Sequence, residues 1–484
     1  MIVLDHPLNL GEVVQVARHR VPLSLGPETV ARIQASRRML EELIAGGVAM
    51  YGVTTGVGEL SKVRVGPEHA STLSANIVMS HACGVGEPLR DEQVRAIMVC
   101  AVLNWSQGRS GVRLALAQRL VDLLNHDVVP YVPSQGGMGS LTHMAHIGLV
   151  AMGLGEVLGR RPAAERLADA GLAPLALAEK EGLSLVNGTV SKTGLASLAL
   201  HDARRLAVWA DVAGAMSFEA LKGVPTAFDP RIHAARPHPG QSHVARNLLA
   251  LIADSEIVAK YRHERVQDAL SLRCMPQVHG AIRDQIEAAS HTCEIEMNSA
   301  TDNPLLFDGQ ALSGCNAHGE PMALSTDALA MAVADLANIS ERRIDRLVNH
   351  HVSDLPAFLV RGNGLSSGFM IPQYVAAALV AENKVLGHPM SVDSIPTTAL
   401  QEDHWSMGTG SALKAGRVVH NAQKVVAIEV LTAAQALEFH RPLLPGQGTR
   451  AMQAEVRQHI PPWDEDRIFY PDMEKVIFAV ETDT

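Results

Sequence analysis

Three long stretches of the sequence repeat apolar residues at every third or fourth position. They cover residues 322–350, 366–386 and 411–439. Apolar side chains that recur at this interval line one face of an α-helix. Long helices joined by short connections form bundles, because each helix buries its apolar face against its neighbours. The sequence therefore predicts a mainly α protein built around a bundle of long helices.

Composition agrees with this prediction and excludes several classes of partner. Of the 484 residues 47% are apolar and only 4% are aromatic, which suits helices rich in Leu, Ala and Val. The net charge of -10 comes without a basic stripe, so no nucleic-acid partner is expected. No signal peptide or membrane span is expected either. The five cysteines are scattered, which is typical of reduced thiols in a cytoplasmic protein.

A glycine-rich stretch interrupts the helical pattern at residues 133–146, which read PSQGGMGSLTHMAH. Three of its first seven residues are glycine, and a helix is predicted after it at residues 144–157. Glycine-rich backbone between ordered segments forms a sharp turn or approaches a ligand closely. A plain surface turn is the alternative interpretation.

Six other strings are distinctive, and together they carry a family resemblance. They are YGVTTGVGEL (51–60), MSHACGVGEPL (79–89), EKEGLSLVNGT (179–189), VQDALSLRCMPQ (266–277), TDNPLLF (301–307) and SVDSIPTTALQEDHWSM (391–407). From about residue 9 to residue 476 the chain resembles the histidine and phenylalanine ammonia-lyase family. The resemblance implies a long-helix bundle of the fumarase/aspartase-like type, with an N-terminal domain at 1–190 and the bundle with a C-terminal helical region at 191–484. It also implies a homotetramer whose active sites are shared between subunits.

The resemblance assigns three catalytic residues. Tyr51 matches the tyrosine that serves the family as a catalytic acid or base. Arg273 matches the arginine that binds the substrate carboxylate, a task that suits the planar guanidinium group. Glu402 matches the glutamate that contacts an imidazole ring in the histidine-specific branch.

The resemblance also implies a set of substrate-binding residues. Those that agree with the family strings are His81, Asn187, Gln267, Asn303 and Met370. Three further positions depart from the family and are expected to change the shape of the site: Leu270 stands where tyrosine is usual, Ala317 where phenylalanine is common, and Trp405 where a small or aliphatic residue is normal. Trp405 is expected either to pack or to offer its ring to a cation.

The glycine-rich stretch departs most from the family pattern. Relatives carry a loop of the form PxxGSVGASGDLAPLAH, whose Ala-Ser-Gly cyclises to the electrophile methylideneimidazolone. The stretch here is three residues shorter and reads Gly139-Ser140-Leu141 at that point. We therefore expect no such electrophile and no other cofactor. No metal site is expected, because neither His143 and His146 nor His350 and His351 have a carboxylate or cysteine at suitable spacing.

These features predict a carbon–nitrogen lyase whose small-molecule substrate is a betaine of histidine. Without the electrophile, a base tends to remove a proton from a primary ammonium group instead of the β-carbon. A trimethylammonium group has no such proton, so the expected reaction is of the ergothionase type. It would release trimethylamine from ergothioneine to give thiourocanate, or from hercynine to give urocanate. The alternatives are a histidine ammonia-lyase-like enzyme acting on a primary amine, and a non-catalytic binding or regulatory relative.

Overall fold

The computed structural model describes residues 1–361 and 364–482, and most of these residues are helical. The α-helices, in chain order, are α1 (Leu10–Ala17), α2 (Pro27–Ala45), α3 (Ala70–His81), α4 (Asp91–Ser106), α5 (Leu114–Asn125), α6 (Leu141–Ala151), α7 (Ala163–Asp169), α8 (Glu181–Val186), α9 (Val190–Ala220), α10 (Pro230–Ala234), α11 (Pro239–Leu251), α12 (Glu256–Tyr261), α13 (Leu270–Arg273), α14 (Met275–Met297), α15 (Glu320–Val348), α16 (His350–Ser353), α17 (Met370–Leu386), α18 (Gly408–Leu437), α19 (Gln447–His459) and α20 (Tyr470–Glu481). The predicted mainly α fold is confirmed.

Short strands form three two-stranded sheets in the described chain. Strand β1 (Ile2–Leu4) pairs in parallel with β2 (Leu23–Leu25). The antiparallel pairs are β3 (Val85–Pro88) with β4 (Pro133–Gln135) and β5 (Leu305–Phe307) with β6 (Gln310–Leu312). Each sheet holds two short segments together and contributes little stability by itself.

The chain divides into two compact units. The first comprises Met1–His201, Ala289–Asp327 and Pro389–Leu413. The second comprises Asp202–Ala288, Ala328–His388 and the chain from Lys414 onward. Four of the five divisions fall within α9, α14, α15 and α18, and the fifth follows α17, so neither unit is one continuous segment. The predicted domains 1–190 and 191–484 stay a prediction, because a division by compactness does not test them.

A buried ion pair links the long helices inside the second unit. Glu429 of α18 accepts hydrogen bonds from Arg343 of α15 at 2.5 and 2.8 Å, and both side chains are fully buried. The same carboxylate accepts from Ser217 of α9 at 2.7 Å and from Ser340 of α15 at 2.6 Å. His279 of α14 lies 3.3 Å from the guanidinium group. These hydrogen bonds restrict how the helices pack, since a buried charge without a partner costs free energy.

Observed helix bounds lie close to the predicted ones, with two instructive differences. The helix predicted at 144–157 is α6, which begins and ends earlier than expected. Gly153 and Gly155 follow it with φ of +78° and +69°, a conformation that stops a helix. Helix α14 was not predicted, because its many polar residues dilute the apolar repeat that marks a helix.

Helix α15 is long and apolar enough to cross a membrane by length and composition alone, and 56% of its apolar window is buried inside the protein. Core helices of large proteins share these features. Because α15 also carries Arg343 into the buried ion pair, core packing accounts for its apolar character.

Replacing Arg343 with methionine should lower the free energy of unfolding by about 3–5 kcal/mol, because Glu429 would stay buried without its counter-ion. Arg417→Met is the matched control, since the Arg417–Glu382 pair is 66% and 47% exposed. The control should change the free energy by less than about 1 kcal/mol. Denaturant unfolding of both variants measures the difference, and equal losses would contradict it.

Candidate active site

The glycine-rich stretch joins β4 to α6, and two hydrogen bonds anchor it just before α6. Gly136 follows β4 with φ of +102°, which only glycine adopts readily. The carbonyl of Gly139 accepts a hydrogen bond from Thr409 Oγ1 at 2.7 Å. Ser140 is buried, and its Oγ accepts from the backbone N–H of Ser191 at 3.0 Å. A buried anchor of this kind is not what a plain surface turn requires.

Tyr51 lies in a tight turn that follows α2. Its ring packs, like Leu141 at the start of α6, against a buried apolar cluster that includes Leu183. The backbone N–H of Gly58 donates to Tyr51 Oη at 2.8 Å. Gly52 has no room for a side chain, because a Cβ would lie 2.7 Å from Leu183. Gly52 therefore allows the turn to approach Leu183 closely, so that the Tyr51 ring contacts the buried cluster.

Glu402 lies near Tyr51, in the segment before α18. A Cβ on Gly58 would lie 2.4 Å from Thr398, so the tyrosine turn touches this segment directly. Thr397 donates its backbone N–H to the carbonyl of Glu402 at 2.9 Å, which fixes the local bend. Glu402 Oε2 is buried and has no hydrogen-bond partner among the described residues. A buried carboxylate oxygen of this kind is available to a ligand N–H.

Burial raises the pKa of the Tyr51 phenol, while the Gly58 hydrogen bond lowers it and the charge of Glu402 raises it further. Taken together, these effects raise the pKa of Tyr51, so the phenolate is more costly to form within the single chain. A cation placed between the two groups would favour both charged forms. The pair is therefore suited to a substrate that brings positive charge.

Asn187 and Asn303 are brought together by a buried ion pair. Lys180 Nζ lies 2.8 Å from Asp302, and both side chains are fully buried. This pair fixes the start of α8 against the segment that holds Asn303. Asn187 Nδ2 donates to the carbonyl of Asn303 at 3.0 Å. Asn303 in turn accepts from the N–H of Gly314, so its side chain supports the turn that leads to Ala317.

Three further predicted residues lie in the first unit. His81 ends α3, and its Nδ1 is 3.1 Å from Ser80 Oγ. Ala317 is half-buried just before α15. Trp405 donates from Nε1 to Thr397 Oγ1 at 2.8 Å, and its ring edge would lie 3.5 Å from a Cβ on Gly139. Trp405 thus packs beside the shortened loop.

The other four predicted residues belong to the second unit. Gln267 is exposed, and Leu270 is 63% exposed at the start of α13. Arg273 ends α13, and its Nε is buried without a hydrogen-bond partner in the described chain. Met370 begins α17 and is half-buried. The assigned roles of these residues, and of those in the first unit, stay predictions.

Lys192 is a buried amine that the sequence analysis missed. It is 1% exposed, and its Nζ lies 3.5 Å from Ser406 Oγ. Gly319 and Gly408 make room for it, since a Cβ on either would lie 2.2 or 2.8 Å from the lysine side chain. Burial lowers its pKa to about 8, against the opposing charges of Glu296 and Glu320. A lysine in a helical stretch gives no sequence signal for such burial.

His143 and His146 lie on α6 directly after the loop. Burial lowers the pKa of His143 to about 4, and it lowers the pKa of His146 as well. His143 Nε2 lies 3.4 Å from the carbonyl of Ser134. Both rings are therefore neutral near pH 7, and His143 packs α6 against the loop.

Comparisons with known proteins cover nearly the whole chain. A family model described as aromatic amino acid lyase matches residues 8–458. A histidine ammonia-lyase of Symbiobacterium thermophilum is 49% identical over 96% of this chain and 94% of its own length. The crystal structure of histidine ammonia-lyase from Trypanosoma cruzi has a TM-score of 0.92 and 41% identity, covering 99% of this chain and 92% of that one. Ergothionase from Treponema denticola has a TM-score of 0.93 but only 26% identity, covering 99% of this chain and 98% of that one.

These comparisons overturn the predicted release of trimethylamine from a betaine, which is wrong. Relatives named histidine ammonia-lyase are far closer in sequence than the ergothionase. The prediction depended on one shortened loop and two reduced side chains, Leu270 and Ala317. Those changes alter the space in a site, but they do not by themselves decide which amine leaves.

Glu402→Gln should lower the pKa of Tyr51, because it removes the nearby negative charge that disfavours the phenolate. Ultraviolet difference titration of the tyrosines, with Tyr51→Phe as the reference for assignment, measures the shift. Glu59→Gln, an exposed change in the same turn, is the control and should leave the titration unchanged. An unchanged or higher pKa in Glu402→Gln would contradict the coupling.

Lys192 should make the protein more stable as pH rises from about 8 to about 10. The unfolded state binds a proton on this lysine in that window and the folded state does not, so the free energy of unfolding increases with pH. Lys192→Met should lack this increase, which amounts to at most about 3 kcal/mol. Parallel denaturant unfolding at several pH values measures the difference. Identical pH dependence in the two proteins would contradict the assignment.

Proposed function

Since the chain belongs to the aromatic amino acid lyase family and is a carbon–nitrogen lyase, we propose that it eliminates ammonia from histidine to give urocanate. The observation that carries the proposal is the pairing of Tyr51 with Glu402 in a chain whose relatives are named histidine ammonia-lyase. In this proposal Tyr51 is the base that removes the β-proton, and the carboxylate of Glu402 binds the imidazole ring. The proposal also takes the substrate to be a free small molecule and the protein to be cytoplasmic.

The two groups suit the chemistry of histidine. A carboxylate such as Glu402 stabilises an imidazolium ring, and a protonated ring withdraws electrons from the β-carbon. Withdrawal makes the β C–H bond more acidic, which is what an elimination needs. The protonated ring of histidine thus supplies part of the activation of the β-carbon by itself.

The Tyr51 phenolate removes the β-proton and becomes the phenol. The electron pair of the broken C–H bond forms the new carbon–carbon double bond, and the C–N bond breaks as its electrons leave with the amine. The α-ammonium group departs as neutral ammonia, while Arg273 of a neighbouring subunit holds the carboxylate. Forming the phenolate near pH 7 costs about 4 kcal/mol from an unperturbed pKa near 10, and burial adds to that cost. Cationic substrate groups lower it.

The residues of the loop do not fit the family's prosthetic group. Ring closure would require the backbone nitrogen after Ser140 to attack the carbonyl before it. That nitrogen belongs to Leu141, the first residue of α6, and not to an unhindered glycine. The Gly139 carbonyl is engaged by Thr409, and the Ser140 carbonyl accepts the helical hydrogen bond of Met144. We propose that the loop stays uncyclised, so no step is assigned to the group.

The exposed residues of the second unit support a site completed by other subunits. Val266 is 99% exposed and Leu270 is 63% exposed, although both are apolar. Gln267 and Arg273 lie in the same short segment. Exposed apolar residues beside site candidates are typical of a surface that a partner covers. We propose a homotetramer in which this segment contributes to a neighbouring active site.

Purified protein incubated with histidine should release ammonia and urocanate in equal amounts. Tyr51→Phe should reduce kcat by about 10²–10⁴-fold, because it removes the base that takes the β-proton. Tyr470→Phe is the control, since Tyr470 is 65% exposed and should keep full activity. Product absorbance and an ammonia assay measure both rates.

Intact-protein mass spectrometry tests the loop separately. Cyclisation removes water from the chain, so the expected mass is that of the unmodified sequence. No turnover of histidine by the folded protein would overturn the proposed function. An active protein whose mass shows the loss of water would overturn the proposal that the loop stays uncyclised.

A further inference from the structure

Three potential metal ligands meet beside Lys192 in the first unit. His318 Nε2 lies 3.2 Å from His404 Nδ1, and the two rings are stacked with centroids 5.3 Å apart. Glu320 adds a carboxylate oxygen, and the three ligand atoms all lie within 4.8 Å of one another. None of the three residues has a role in the reaction proposed above.

The chemistry of this set matches that of a transition-metal site. Two imidazole nitrogens and one carboxylate oxygen are the protein ligands of many catalytic zinc ions. Bonds of about 2.0–2.1 Å in a tetrahedron separate neighbouring ligand atoms by about 3.3 Å. The two histidine nitrogens already lie at that separation. The Glu320 oxygen lies within 4.8 Å of the ligand nitrogens of both histidines.

The ligands lie on two segments that both pack against Lys192, one at Gly319 and the other at Gly408. His318 and Glu320 flank Gly319 where α15 begins, and the side chain of Lys192 fills the space at Gly319. His404 precedes Trp405, whose backbone N–H donates to Ser394 Oγ at 2.8 Å. The ligands are thus part of a fixed framework, as a metal site requires.

A hydrogen bond between the two histidines is the simpler account, but it leaves one oxygen of Glu320 without a partner. The charge of Lys192 attracts the Glu320 carboxylate, yet Lys192 donates no hydrogen bond to Oε2. Glu320 Oε2 is buried and has no hydrogen-bond partner among the described residues. An unpaired buried carboxylate oxygen costs free energy unless a cation or donor meets it. A metal ion at the histidine pair would bind that oxygen directly. The cluster therefore accounts for an atom that a histidine–histidine hydrogen bond leaves unpaired.

We propose that His318, Glu320 and His404 bind one divalent transition-metal ion, with zinc as the representative ion. Three protein ligands leave a coordination position open to water or to a small ligand. The site differs from the histidine pairs weighed in the sequence, where no carboxylate partner was found. His318 and His404 are 86 residues apart, so no local spacing reveals it.

Titration of the full-length, chelator-treated protein with Zn²⁺ by calorimetry tests the proposal. We expect one ion per chain with a Kd below about 1 μM. His318→Ala and Glu320→Gln should each weaken metal binding by at least about 100-fold. Loss of a residue that only hydrogen-bonds to a metal ligand already weakens metal binding by about 10–100-fold. Binding should also release protons, and it should weaken as pH falls, since the histidines must be neutral to bind. Titration with Co²⁺ should give the absorption bands of a tetrahedral site.

His351→Ala is the matched control. His350 and His351 have ring centroids 3.8 Å apart, so they form a second close histidine pair. The control should keep full affinity. Circular dichroism of the metal-free variants establishes that they are folded. Absence of stoichiometric binding, or binding that survives both His318→Ala and Glu320→Gln, would overturn the proposal. The readout is metal affinity and not turnover, so failure of the site is distinguishable from failure of the proposed elimination.

Discussion

The shortened loop is held by two buried hydrogen bonds, and the candidate site depends on them. Thr409 of α18 holds the Gly139 carbonyl, and the start of α9 holds the Ser140 hydroxyl. The loop therefore cannot move away from the two long helices without leaving buried polar groups unpaired, which would cost several kcal/mol. Because Trp405 packs on the same loop, the segment carrying Glu402 is fixed as well.

This framework is compatible with the proposal that the loop stays uncyclised. Tyr51, Glu402 and the Asn187–Asn303 contact are positioned by turns and by the buried Lys180–Asp302 pair. None of these contacts requires a cyclised tripeptide. The elimination we propose correspondingly depends on charge: a half-buried phenol beside a half-buried carboxylate favours a cationic ligand.

Much of the fold could be predicted from the sequence, because apolar residues at every third or fourth position indicate long helices. The candidates Tyr51 and Glu402 could also be found, since each lies in a distinctive string. Lys192, His318 and His404 could not, because their environments arise from glycines and loops distant in sequence. The identity of the leaving amine was mispredicted because one local departure was given more weight than agreement along the whole chain.

We propose that histidine binds with its imidazole ring against Glu402 and its β-carbon facing Tyr51. A crystal structure of the Tyr51→Phe protein with bound histidine tests it most directly. We predict an imidazole nitrogen within hydrogen-bonding distance of the Glu402 carboxylate and the β-carbon against the edge of the substituted ring. An imidazole bound away from Glu402, with the β-carbon remote from the substituted ring, would contradict the account.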